Sequence, residues 1–118
     1  MSITIYHNPM WSKSRESVQI LEKTKKSFTI VNYIKEGLNK ESLEDILKIL
    51  QMQPQDIIRK NDKNFVKLGL KKEQLSYKSL VIKTIIENPK IMQRPIVIIN
   101  NKGVIARPPE KIFTILQW

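Results

Sequence analysis

The chain has 118 residues, 41% apolar and 27% charged, which suits one globular domain and leaves out a disordered chain. Lys and Arg total 21 against 11 Asp and Glu, and the net charge of +10 favours anions without choosing among nucleic acid, acidic protein and small oxyanions. With no cysteine and one histidine, His7, the sequence excludes disulfides, thiol chemistry by this chain and a Cys- or multi-His-ligated metal centre.

Ser2-Ile3-Thr4-Ile5-Tyr6 alternates polar and apolar and predicts a short strand, broken by His7-Asn8-Pro9. Ser12 or Ser14 is the expected cap of a helix running to about Lys26, with Val18, Ile20 and Leu21 facing inward. Phe28 to Tyr33 is rich in β-branched and aromatic residues and predicts a second strand. Strand, crossover helix and strand make a βαβ unit, so these two strands should be parallel.

Leu43, Ile46, Leu47 and Leu50 share one face of a helix capped near Asn39. Pro54 suits the first turn of a short helix carrying Ile57 and Ile58. Leu80, Ile82, Ile85 and Ile86 mark another helix, capped near Ser76 and stopped before Asn88-Pro89. Residues 40–87 therefore read as a helical insertion. Pro95-Ile96-Val97-Ile98-Ile99 is a continuous apolar run, as in a strand covered on both faces. Asn100-Asn101-Lys102-Gly103 predicts a turn, Val104-Ile105-Ala106 an antiparallel partner, and Pro108-Pro109 the start of a last helix with Ile112, Phe113 and Leu116. The expectation is an α/β fold, one mixed sheet built by both ends of a single domain over residues 1–118. No apolar run has the length of a membrane span and no charged-then-apolar leader opens the chain, so a soluble cytoplasmic monomer is expected.

Four features could carry chemistry. The turn from His7 to Arg15 joins the end of a parallel strand to a helix start, where backbone N–H groups favour an anion and Ser12, Lys13, Ser14 and Arg15 add donors and charge. The plain alternative is a capped turn with solvated basic residues. Arg94-Pro95 stands directly before the buried strand; its bond is open between cis and trans, and base rates favour trans. Arg107-Pro108-Pro109-Glu110 is either a stiffened arginine site or simple helix initiation. Arg59 to Lys72 carries six basic residues against Asp62 and reads mostly as a solvated basic face. Arg59 follows Ile57-Ile58, which puts it at the edge of a core, where its planar fork suits a tetrahedral oxyanion.

Taken together, His7-Asn8-Pro9-Met10-Trp11-Ser12-Lys13-Ser14-Arg15, Ile58-Arg59-Lys60-Asn61, Gln93-Arg94-Pro95-Ile96-Val97 and Ala106-Arg107-Pro108-Pro109-Glu110 resemble the glutaredoxin-coupled arsenate reductase family across essentially the whole chain. The resemblance implies a thioredoxin-like fold with a helical insertion and a cis Arg94-Pro95 bond. In such enzymes a turn cysteine attacks arsenate, and glutathione and glutaredoxin complete the reduction. The positions matching the oxyanion-holding arginines are Arg59, Arg94 and Arg107. His7 matches the histidine that helps keep the thiol ionised, and Ser14 and Arg15 match residues shaping the anion cradle. The nucleophile position is Trp11, and an indole has no atom suited to this attack.

The resemblance so implies a protein without the family's reduction but with an oxyanion site for arsenate, phosphate or sulfate. Glutathione and glutaredoxin would serve as reductant only for an active protein, and no metal or other cofactor is expected. Two alternatives stand beside it for the pocket: arginines that serve the fold, and a pocket plugged by the Trp11 ring. A single base also separates the Trp and Cys codons. Among partners, glutaredoxin or another protein is expected rather than a membrane or nucleic acid, for no nucleic-acid motif or aromatic-interleaved basic stripe is present. RNA-polymerase-binding regulators of the same superfamily are the competing class, sharing the Arg94-Pro95-Ile96 segment. His7-Asn8-Pro9 and Arg107-Pro108-Pro109-Glu110 fall on the reductase side.

Overall fold

A computed structural model describes residues 2–116 and divides the chain into two compact units, Met1–Glu36 with Arg94–Trp118, and Gly37–Gln93. The first holds a mixed sheet of four strands in the order β2-β1-β3-β4. These are β1 (Ile3–Tyr6), β2 (Thr29–Val31), β3 (Ile96–Ile99) and β4 (Lys102–Ile105). β1 runs parallel to β2 and antiparallel to β3, which pairs antiparallel with β4. The α/β class, the parallel first pair and the closing hairpin are as the sequence predicts.

Register explains the core. Ile3 lies opposite Ile99 and Ile5 opposite Val97, so these four side chains share one face. All are buried, and they pack with Leu21 of α1 (Ser12–Lys23) and with Ala106, Ile112 and Leu116. Each such aliphatic side chain contributes roughly 1.5–3 kcal/mol on burial. The turn between β3 and β4 is anchored at the sheet's far end. The Ser2 N–H donates to Asn100 Oδ1 at 3.0 Å, and the Asn100 N–H returns a bond to the Ser2 carbonyl at 2.8 Å. Asn100 has φ of 55°, a left-handed conformation that asparagine tolerates better than most residues.

Several boundaries differ from expectation. α1 ends at Lys23 rather than Lys26, because Thr24 caps it and Lys25 turns left-handed at φ 60°. Neither Ser12 nor Ser14 caps it: the N-cap is Trp11, which makes no side-chain cap bond. β2 is shorter than Phe28–Tyr33, since Tyr33 starts the short helix α2 (Tyr33–Glu36), where the Glu36 side chain accepts the Asn32 N–H at 2.9 Å. The last helix is a 3-10 helix over Pro109–Thr114; it buries Ile112 but leaves Phe113 exposed, because three residues per turn moves Phe113 off the inward face.

The second unit is helical apart from one bridge between Ile58 and Met92. α3 (Lys40–Leu50) is capped by Asn39, whose side chain accepts the Ser42 N–H at 2.8 Å while Ser42 Oγ accepts the Asn39 N–H. It buries Leu43, Ile46 and Leu47. Pro54 opens a 3-10 turn to Ile57, followed by α4 (Lys63–Val66). α5 (Lys78–Glu87) is the hub of this unit and touches α3 and the 3-10 turns around it. It starts two residues after the expected cap Ser76 and buries Val81, Thr84 and Ile85, with Leu80, Ile82 and Ile86 only partly covered. No helix among the described residues is long and apolar enough to cross a membrane.

Candidate functional site

The βαβ crossover delivers His7 and the start of α1 to one end of the sheet. Extending the strand registers by one residue sets His7, Pro95 and Ala106 in a row, and the Ala106 N–H donates to the Pro95 carbonyl at 2.8 Å. Arg94 and Arg107 therefore join neighbouring strands at that same end. Both are followed by a cis proline. The Arg94-Pro95 bond is as the family resemblance implies; the Arg107-Pro108 bond has no forecast in the sequence.

The turn is held by its own polar atoms. Asn8, a buried residue, accepts the Met10 N–H on Oδ1 at 3.0 Å, and its carbonyl accepts the Trp11 N–H at 3.1 Å. The Asn8 N–H reaches Ser14 Oγ at 3.4 Å, so fully buried Ser14 ties the turn to α1. Arg15 is exposed and its Nη1 donates to the Pro9 carbonyl at 3.0 Å, closing the loop from the outside. The sequence singles out Ser14 and Arg15 as site residues and gives Asn8 only as part of the turn that breaks the strand; the Asn-Pro pair is the signal for its holding role.

His7 is buried, its backbone N–H donates to the Val31 carbonyl at 2.8 Å, and its ring Nδ1 has no hydrogen-bond partner among the described residues. Burial pushes the imidazole pKa below its ordinary 6.5, the Arg15 charge pushes the same way, and the backbone of Ser14 opposes them. His7 is accordingly neutral at pH 7.

Trp11 stands at the N-cap of α1 with extended backbone, φ −107° and ψ 133°. Its ring is half-buried beneath Arg94, whose Cζ lies 2.9 Å from the ring centroid, a cation–π stack. Arg94 Nη1 is buried and has no hydrogen-bond acceptor among the described residues. The first turn of α1 carries no acidic residue and no side-chain cap, so its N–H groups keep their positive partial charge. Arg107 is exposed at the edge of this region. The assembly has positive charge and oriented donors, and the chain has no thiol.

Arg59 belongs to the other unit. Its N–H donates to the Ile91 carbonyl at 2.7 Å and its guanidinium pairs with Asp62 at 2.9 Å, both side chains largely covered. Burial would raise the Asp62 carboxyl, but the Asn64 backbone N–H, the Asn64 side chain and Arg59 outweigh it and hold the pKa below 3.8. Arg59 thus sits at the edge of a core, as its place after Ile57-Ile58 predicts, while Lys60, Lys63, Lys67, Lys71 and Lys72 are exposed. Among the described residues no group of three or more His, Cys, Asp or Glu could hold a metal ion.

Comparison with known proteins places these features in a lineage. The chain is 37% identical to an arsenate reductase of Haemophilus influenzae over 98% of this chain and 100% of that protein. It is also 37% identical to the uncharacterized protein YfgD of Escherichia coli K12, over 97% and 96% of the two chains. The solved arsenate reductase of Vibrio cholerae superposes with a TM-score of 0.90 at 33% identity, covering 98% of each chain, and the sheet and helices are the mixed thioredoxin-like arrangement of such structures. The ArsC family model matches residues 6–115, and on this match and those relatives the chain belongs to the ArsC family.

Proposed function

We propose that this chain is an oxyanion-binding member of the ArsC family that does not reduce arsenate. The observation that carries the binding half is the start of α1. It lacks a side-chain cap and an acid, and it lies beside Arg94, a partly buried residue whose buried Nη1 has no acceptor among the described residues. A tetrahedral oxyanion supplies acceptors to both at once. Arg107, leaving the sheet from the neighbouring strand, adds a second guanidinium. Ser14 and Arg15 hold the turn that presents the helix start.

The catalytic half rests on composition and motif. Trp11 occupies the nucleophile position of the H-N-P-x-C-x-x-S-R pattern, and no other residue of the chain is a cysteine. A thiol–arsenate adduct requires a thiol, and positioning cannot replace the missing atom. The relatives named as arsenate reductases favour this side of the superfamily over a polymerase-binding regulator.

Thermal unfolding tests the binding half. Phosphate, sulfate or arsenate should raise the midpoint above that in chloride at matched ionic strength, by mass action on the folded state. Arg94→Ala and Arg107→Ala should lose that difference. Equal midpoints in the oxyanions and chloride would remove the binding site from the proposal. An assay with arsenate, glutathione and glutaredoxin tests the other half, and turnover by the sequence-verified protein would overturn it.

A further inference from the structure

We propose that Trp11 sets the affinity of the site by competing with the oxyanion for Arg94. The inference rests on the oxyanion-binding reading above. A guanidinium stacks through its face and grips an oxyanion through the N–H groups of its edge. Here the indole covers the face at 2.9 Å, and the edge atom Nη1 is buried with no acceptor among the described residues. A buried charged donor without an acceptor is costly, and attraction to a ring face offsets only part of that cost. An oxyanion would satisfy Nη1 fully, and the competition takes the indole stacked on this guanidinium as the cover that an arriving oxyanion must displace.

The local structure allows such a movement without unfolding. The Trp11 backbone is fixed at both ends, since its N–H donates to Asn8 and its carbonyl accepts the Arg15 N–H at 3.2 Å. Its side chain makes no cap bond and is half-exposed, outside the fully buried core. Rotation about the side-chain torsions alone therefore uncovers Arg94. The indole is a displaceable lid, and removing it should strengthen anion binding.

The chain has two tryptophans, so Trp118→Phe leaves Trp11 as the sole indole reporter. In that parent, sodium sulfate should produce a saturable change in fluorescence that sodium chloride at matched ionic strength does not. Its midpoint should equal the dissociation constant from calorimetry. Adding Trp11→Ala should tighten sulfate binding on the order of three- to thirtyfold, the range of a cation–π contact. Trp11→Phe, with a weaker ring, should fall between and serves as the second variant should the alanine protein fold poorly. Sulfate binding by the alanine variant alone also supports the competition. Calorimetric binding with silent fluorescence, or variants that bind no tighter than the parent, would overturn the competition while leaving the oxyanion reading standing. Absence of sulfate heat from the parent and both variants would overturn both.

Discussion

His7 ends β1 as a buried, neutral imidazole, and this gives the protein an acid-sensitive point. The unfolded chain takes up a proton on this side chain near pH 6.5, whereas the folded chain does so only at lower pH. Its contribution to stability is therefore complete above pH 6.5 and is lost as the pH falls through the depressed folded value. Urea midpoints at pH 7.5, 6.5 and 5.5 should decline with acidity, and His7→Asn should flatten that decline. Asp62 gives a separate loss at more acid pH, as the pH falls through the ordinary 3.8 toward its depressed folded value, because its carboxylate favours the folded state above that range. The sequence identifies His7 as an ionisable residue at a strand end. Its neutrality was not legible, because it depends on burial and on Arg15, eight residues away and brought close only by the turn.

At the level of elements, α3 and α1 show what patterning does and does not determine. Asn39 before an amphipathic run announces the cap of α3, and the structure supplies both bonds of the capping box. Asn39→Ala should lower stability by about 1 kcal/mol, measured by denaturant unfolding, with little effect on anion binding. α1 was legible as a helix but not at its start. Ser12 and Ser14 have the right chemistry for a cap, yet the Asn8 turn draws Ser14 Oγ to itself and leaves Trp11 at the cap position. Similarly, Tyr33 has high strand propensity but enters α2, where the Asn32 backbone bond to Glu36 outweighs it. The Trp11–Arg94 stack was the least legible feature, since it joins the first turn to a residue 83 positions later (94 − 11).

For the whole molecule, the charge of +10 sets a background against which any specific site must be distinguished. The exposed lysines of residues 60–72 attract polyanions without a shaped site. Binding to a random single-stranded oligonucleotide should be detectable at low salt and fall steeply toward physiological salt, following the counterion-release relation. Fluorescence polarisation across a salt series checks this. Binding that persists with a shallow slope would mean a real nucleic-acid surface. The sheet order was legible only in part: the βαβ start and the final hairpin were readable locally, but β1 between β2 and β3 is a pairing across most of the chain.

That pairing has a consequence for how the chain is made. β1 is an inner strand, yet its partner β3 begins at Ile96. During synthesis, β1 leaves the ribosome long before β3, while Gly37–Gln93 emerges as a continuous stretch that supplies its own helical contacts. Until Ile96–Ile99 arrives, the open edge of β1 displays unpaired backbone groups beside Ile3 and Ile5, a template for pairing with another nascent chain. A product ending at Gln93 would retain that edge permanently. Premature termination in this gene should therefore yield aggregates rather than a smaller folded protein.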